Sequence, residues 1–369
     1  MFDRRLLFHI NWGLLTLTAL LFVVGAVNLY SASTLRVVSG IELDAYFNKQ
    51  LLFGGAGLCI MTGLVLFDYR HLKAVSWPLF VCCLILLLAV SVVGKTIYGA
   101  RRWLDLGLFN LQPTELTKIA VLILGARLLA RMEGRLGWRN LGKALLVGLV
   151  PAALVVKQPD LGSALNILLI LGGMILFKGI TPSVFRTLVV ALPPLLPFGW
   201  FFLHDYQKQR ILTFLDPGSD PLGAGYHIIQ SQIAIGSGGF WGKGFLQGTQ
   251  SQLRFLPEKH TDFAFAVFGE EWGFFGAMIL LIMYCSFLYQ VYIVTMEAKD
   301  DFGSYLAAGV FFYFFWQILI NMGMVLGIMP VVGIPLPFVS YGGSASVVNF
   351  CMIGLVLNVA MRRFVFKKG

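Results

Sequence analysis

The sequence predicts an all-α polytopic membrane protein of about ten transmembrane helices. Both termini are expected on the cytoplasmic side, with one long external loop between spans seven and eight. Composition carries the first part of this: 58% of the 369 residues are hydrophobic and only 12% are charged, against roughly 25% charged in soluble domains. Mean hydropathy is +0.80. Apolar runs close to the ~20 residues that cross a bilayer recur along the whole chain. The net charge of +10 would raise nucleic acid as a partner for a soluble protein. Here it reads as positive-inside topology and attraction to anionic lipid.

The expected spans are 12–32, 51–67, 77–93, 114–130, 143–157, 163–178, 183–204, 263–292, 303–328 and 344–361. Arg4 and Arg5 precede the first, but the Leu14–Tyr30 run exceeds the 7–15 residues of a signal-peptide core, so it is expected to remain as a span. An even number of spans places both termini on one side. Sixteen Lys and Arg, from Arg4 and Arg5 through Arg127–Lys143 to Lys368, flank one set of short connections. Six (Arg36, Lys49, Lys95, Arg101, Arg102 and Lys157) flank the other, which puts the termini inside. The chain is expected to form a single transmembrane domain over 1–369, with 204–262 as the long external loop within it.

That loop has turn signals at Asp216-Pro217-Gly218 and Pro221–Gly225. Tyr226–Ile235 fits an amphipathic helix lying on the membrane. Gly236–Gly248 is glycine-rich; it lacks G-x-x-x-x-G-K-[ST] and follows no strand, so a phosphate loop is rejected and flexibility is its expected use. Met329–Ser344 holds three prolines and a glycine pair, which forbid a regular helix. Irregular backbone at membrane depth survives only under protein or beside a water-filled cavity, so this segment is expected to line one. The five cysteines all lie in apolar stretches and read as buried, inert thiols without a disulfide framework. His204, His227 and His260 are scattered, and no metal site follows.

Ionisable groups at or within the bilayer are costly, which makes them functional candidates. Glu115 and Lys118 open span four at i,i+3 spacing and can pair on one helix face. Asp160, in Lys157–Gly162, reads as a helix N-cap or a site carboxylate. Asp262 stands where a polar loop meets span eight. A cap or first-turn acid is the plain reading; the functional one is a general base held ionised by the helix dipole. Glu270 and Glu271 fall about 12 Å further along at 1.5 Å per residue. The stretch from Asp262 to Val294 is too long for one upright span, so a bend is expected near Gly269 or Gly273.

The segments R-W-L-D-L-G (102–107), Q-P-T-E-L-T-K (112–118), Q-P-D-L-G (158–162), D-Y-Q-K-Q-R (205–210), D-P-L-G-A-G-Y-H-I-I-Q-S-Q-I-A-I-G-S-G-G (220–239), G-T-Q-S-Q-L-R-F-L-P-E-K-H-T-D-F (248–263) and P-L-P-F-V-S-Y-G-G-S (335–344) resemble the SEDS family of bacterial envelope proteins (shape, elongation, division, sporulation). The resemblance covers nearly the whole chain. D-Y-Q-K-Q-R and G-T-Q-S-Q-L favour the rod-elongation branch over the division homologues. The family often places Arg before the Gln that opens span two; here it is Lys49-Gln50, a point charge rather than a bidentate fork.

The resemblance implies a peptidoglycan glycosyltransferase that polymerises lipid II on the outer face of the bacterial cytoplasmic membrane. It places the family's essential aspartate at Asp262 and its cavity polar residues at Glu115, Lys118 and Asp160. The expected chemistry is inverting displacement, with Asp262 taking the proton of the attacking sugar hydroxyl and undecaprenyl pyrophosphate leaving. The candidate cations for that leaving charge are Lys118, Arg101, Arg102, Arg210 and Lys259, with or without a divalent cation such as Mg; Lys49 is a further substrate contact. The resemblance also implies a class B penicillin-binding transpeptidase as partner. Rival readings are a lipid II flippase, a division-type homologue, and a scaffold that only recruits a partner.

Overall fold

The computed structural model describes residues 9–363, apart from 38–39, 44–45, 98–99, 106, 108–109, 203–204, 221–222, 254 and 257. Arg4, Arg5, Lys367, Lys368 and His204 therefore lie outside the described residues. Each of the ten expected spans coincides with a helix: α1 (Trp12–Ser33), α2 (Tyr46–Leu66), α3 (Leu72–Val93), α4 (Pro113–Arg131), α5 (Trp138–Lys157), α6 (Leu161–Lys178), α7 (Pro182–Phe202), α11 (Ala264–Met296), α12 (Asp301–Val325) and α13 (Gly343–Met361). Between α7 and α11 the long loop contributes α8 (Asp205–Leu215), α9 (Ala224–Gly238) and the single turn α10 (Thr249–Gln252).

Local chemistry sets several of the ends. Asn11 and Asp300 cap α1 and α12 by accepting from Leu14 N and Gly303 N. Pro113 starts α4, where a missing N–H costs nothing. Among the described residues eight helices are long and apolar enough to cross a membrane. α4 is long enough but carries Glu115, Lys118, Arg127 and Arg131. Glu115 and Lys118 are buried and pair, the half-buried Arg127 Nη1 donates to Lys73 O at 2.6 Å and Ser76 Oγ at 2.9 Å, and Arg131 is exposed at the helix end.

α12 and α13 are mostly buried, whereas α1, α2, α3 and α11 present most of their surface outward. An outward apolar surface on a spanning helix faces hydrocarbon, which corrects the expectation for the thiols. Cys83 is buried, but Cys59, Cys82 and Cys285 are exposed and Cys351 is intermediate; all are free. Apolar neighbours in sequence do not distinguish lipid from core.

Two connections form small sheets that the sequence pattern did not announce. β1 (Thr34–Val37) and β2 (Gly40–Leu43) pair antiparallel, with Thr34 opposite Leu43. β3 (Lys95–Ile97), β4 (Ala100–Asp105) and β5 (Asn110–Leu111) form a three-stranded antiparallel sheet in that order. β4 carries Arg101 and Arg102.

The expected bend in α11 falls at Gly273, with φ +65° and ψ −164°. This breaks the helical bonds that Phe274 and Phe275 N–H would make to the carbonyls of Glu270 and Glu271. The glycine-rich loop replaces them. Lys243 N and Gly244 N donate to Glu270 O and Glu271 O at 3.0 Å each, while Phe274 N and Phe275 N donate to Gly239 O and Phe240 O at 2.9 and 3.1 Å. A Cβ on Gly273 would stand 2.3 Å from Gly242 N. The glycines of 236–248 thus allow close backbone approach, which corrects the expectation of a flexible loop.

α9 confirms the helix expected at Tyr226–Ile235. It is docked on protein: Ser231, fully buried, donates to Val325 O at 2.9 Å. Between α9, α11 and α12 lies an apolar cavity of about 690 Å³. It has no charged lining residue, so it is a hydrocarbon-type groove and not a reaction centre.

Candidate functional site

Asp262 sits in a tight turn that leads into α11. Thr261 N and Phe263 N both donate to Glu258 O, at 3.1 and 3.3 Å, so the chain folds back just before the helix begins. Phe263, not Asp262, occupies the N-cap position. Asp262 is half-buried as a residue, and its carboxyl accepts no hydrogen bond from the described residues. Its Oδ2 faces Gly333, where a Cβ would come within 3.3 Å. A cap would spend the carboxylate on backbone N–H groups; this one is left available.

Burial pushes the Asp262 carboxyl up to about 6, the Glu258 carboxylate adds to that, Arg210 opposes it, and Asp160 adds a little more. The helix dipole therefore does not dominate, as the sequence had suggested. A carboxylate of that strength is a better proton acceptor than a free aspartate and is still mostly ionised at neutral pH.

The second wall is the 329–342 segment, which is irregular as expected. Protein covers it: Leu336, Phe338 and Val339 are buried. Asn321, on α12, fastens it to the Asp262 turn. Its Nδ2 donates to Asp262 O at 2.9 Å and to Ile334 O at 2.8 Å. Arg210, on α8, donates to Val331 O at 3.1 Å and so brings its charge to the same wall.

Asp160 unites the two readings left open by the sequence. It caps α6 by accepting from Ser163 N at 3.1 Å, and Arg102 Nη1 lies 3.9 Å from its Oδ1. Arg102 also donates through Nε to Gln158 O at 3.2 Å and through Nη2 to Pro159 O. The guanidinium is thus held over the start of α6 by the strand that carries it. Asp160, Arg210 and Glu258 all act on Asp262 electrostatically, so the three charges lie in its neighbourhood.

Glu115 and Lys118 form the expected i,i+3 pair, with Lys118 Nζ 2.6 Å from Glu115 Oε1 and both side chains almost fully buried. Lys118 also lies 5.9 Å from the Tyr313 ring centroid. Glu115 Oε2 finds no donor among the described residues. Lys49 is exposed at the start of α2, and Arg101 is exposed on β4. Lys259 is buried, and its Nζ donates to Ser251 O at 2.8 Å.

Several neighbours of Asp262 went unflagged in the sequence. His260 packs tilted against Tyr46 with ring centroids 4.8 Å apart, and Tyr341 packs edge-on to Tyr46 at 5.0 Å. Tyr341 N donates to His260 O at 2.7 Å. His227 stacks on Phe263 at 5.8 Å. Gln50 Oε1 accepts from Gly342 N at 3.4 Å and Ser346 Oγ at 3.3 Å. Asn321 and Gln50 had a usable signal, since a buried amide in a spanning helix needs partners. The histidines had none, because only the fold brings 227 beside 263. Among the described residues no group of three His, Cys, Asp or Glu side chains gathers to hold a metal ion.

A family model described as a cell cycle protein, covering FtsW, RodA and SpoVE, matches residues 11–364. The chain belongs to this family, the SEDS family. Among curated SEDS relatives, the peptidoglycan glycosyltransferase MrdB of Escherichia coli K12 is 44% identical over 353 residues, 95% of each chain. A probable peptidoglycan glycosyltransferase FtsW of Geobacter metallireducens is 36% identical over 360 residues, 95% of this chain and 94% of the relative. Among solved structures, one described as "Structural coordination of polymerization and crosslinking by a peptidoglycan synthase complex" superposes with a TM-score of 0.82 at 31% identity, over 97% of this chain and 99% of that one. The rod shape determining protein RodA of Thermus thermophilus gives a TM-score of 0.71 at 30% identity, over 97% and 98%. This chain is therefore a multi-pass SEDS membrane protein.

Proposed function

We propose that this chain is a peptidoglycan glycosyltransferase of cell elongation, polymerising lipid II into glycan strands on the outer face of the cytoplasmic membrane. The activity named for its relatives supports the reaction class. The single observation that carries the mechanism is the unspent carboxyl of the half-buried Asp262, set at the mouth of a spanning helix and raised toward neutrality.

The substrate's polyprenyl tail stays in the bilayer while its sugars stay outside, so the base must stand at the interface. The acceptor sugar 4-hydroxyl attacks the anomeric carbon of the growing strand. A C–O bond forms there as the bond to the pyrophosphate oxygen breaks, with inversion. The hydroxyl proton passes to Asp262, and undecaprenyl pyrophosphate leaves with the electron pair. Arg210 acts on Asp262 directly, Arg102 stands beside Asp160, and Lys49 and Arg101 are exposed at the starts of α2 and β4. Such fixed charges stabilise a departing anion best where water is excluded. The buried Lys118 is paired with Glu115, and Lys259 is bound to a carbonyl, so both act on substrate through the scaffold.

Purified protein given lipid II is expected to make glycan strands, and Asp262→Asn to make none. Full-length product from Asp262→Ala or Asp262→Asn would remove the base assignment. The rival flippase reading draws on the buried Glu115–Lys118 pair as a head-group path; it predicts lipid II movement across liposomes without consumption. A class B penicillin-binding transpeptidase is the proposed partner, in keeping with the synthase complex among the similar structures. Adding it is expected to raise the polymerisation rate; an unchanged rate would make the partnership spatial.

A further inference from the structure

Glu270 is fully buried and takes no part in the chemistry just described. Its carboxylate nonetheless accepts four hydrogen bonds. Oε1 accepts from Lys243 Nζ at 2.7 Å, Thr249 Oγ1 at 3.1 Å and Gln250 N at 2.9 Å. Oε2 accepts from Ser251 N at 3.3 Å. The first N–H groups of a helical turn have no partners within it. α10 has Gly248 at its N-cap and no local side-chain cap. Glu270 supplies that cap from the neighbouring α11.

The far end of α10 continues the connection. Ser251 O accepts from Lys259 Nζ at 2.8 Å, and Lys259 begins the turn that carries Asp262. Residues 249–270 thus form a closed circuit, from the Glu270 carboxylate through α10 and Lys259 to the turn and back along α11. We infer that Glu270 is a positioning residue that fixes the height and direction of Asp262 through α10 and Lys259. This rests on the assignment of Asp262 as the base. Lys243 is the charge partner of Glu270, with Glu271 beside it; Glu258, Arg210 and Asp160 are the charged groups around Asp262. Glu271 accepts from Ser31 of α1 and lies against the Leu246 and Gly248 amides just before α10, so it braces the entry to that turn from the side of α1.

Glu270→Gln keeps shape but offers one acceptor oxygen where two are used. In lipid II polymerisation by the full-length protein it is expected to lower kcat roughly 10- to 100-fold, with KM little changed, because small displacements of a reacting group are that costly. A loosened turn also admits water to Asp262, so the acid limb of the kcat profile moves to lower pH. Lys259→Met, which cuts the same circuit at its other end without touching Glu270, should reproduce both effects. The double variant should be no worse than the poorer single one, since both act on one connection. An unmoved acid limb with losses that track only the folded fraction, or losses that multiply in the double variant, overturns the inference. If Asp262→Asn is inactive while Glu270→Gln and Lys259→Met are normal, the coupling alone fails. If Asp262→Asn polymerises at full rate, the base assignment fails and takes the coupling with it.

Discussion

Asn321 Nδ2 lies 2.9 Å from the backbone oxygen of Asp262. The same amide reaches Ile334 O at 2.8 Å, so one fully buried side chain ties the Asp262 turn to the proline-rich wall opposite. Asn321→Leu, close in volume, leaves both carbonyls without that donor. A buried acceptor left unsatisfied costs about 1–3 kcal/mol. The expected outcome is a lower melting temperature in detergent together with a fall in kcat of roughly 10- to 100-fold. Retention of full kcat in the folded fraction would show that the two walls need no tie.

The pH dependence follows from Asp262. A general base works when deprotonated, so kcat should rise with pH, reach half its plateau near 6 and fall about tenfold per unit below that. Stability runs the other way. A carboxyl raised from its usual value to about 6 contributes stability fully present below the unfolded value and lost as pH rises through 6. At pH 7.5 Asp262→Asn should therefore be inactive yet melt at or above the wild-type temperature. Thermal denaturation of both proteins at pH 5 and pH 7.5 checks this: the gap should narrow at the lower pH.

The Glu115–Lys118 pair separates scaffold from substrate contact. Lys118→Met strands a carboxylate inside the bundle, where breaking a buried pair typically costs about 3–5 kcal/mol. Glu115→Gln combined with Lys118→Met should restore most of that stability. Polymerisation should return with it, because the structure commits Lys118 to Glu115 and to the Tyr313 face. A stable double variant that stays inactive would place Lys118 on the pyrophosphate instead.

Gly273 is a test of architecture. Its backbone is in a region essentially reserved for glycine, and a Cβ would meet Gly242 N at 2.3 Å and Phe240 O at 2.8 Å. Gly273→Ala adds about 1–3 kcal/mol of backbone strain to that collision. Poor yield or a clear drop in thermal stability is expected. A normal melting curve would mean that the loop can move aside.

Much of this was legible in the sequence because a bilayer gives apolar runs one meaning. Ten runs became ten helices, and the excess length after Asp262 correctly called for a bend. Asp262 itself stood out as a charge at the join of loop and span. Glycine-rich 236–248 was misread because loop flexibility and close backbone approach share a composition; only the partner strand of chain decides between them. The exposed Cys59, Cys82 and Cys285 were misread for a similar reason, since lipid and core favour the same neighbours. The roles of Glu270 and Asn321 needed the fold, because their partners lie 20 and 59 residues away.

The four bonds that cross the break in α11 have a bearing on how this protein can be shortened. Without residues 239–244, the carbonyls of Glu270 and Glu271 and the amides of Phe274 and Phe275 would face a nonpolar medium with nothing to pair with. The glycine-rich segment is thus a splint for the broken helix it lies against. Trimming it for crystallisation or fusion would fracture the span beneath before it touched the chemistry above.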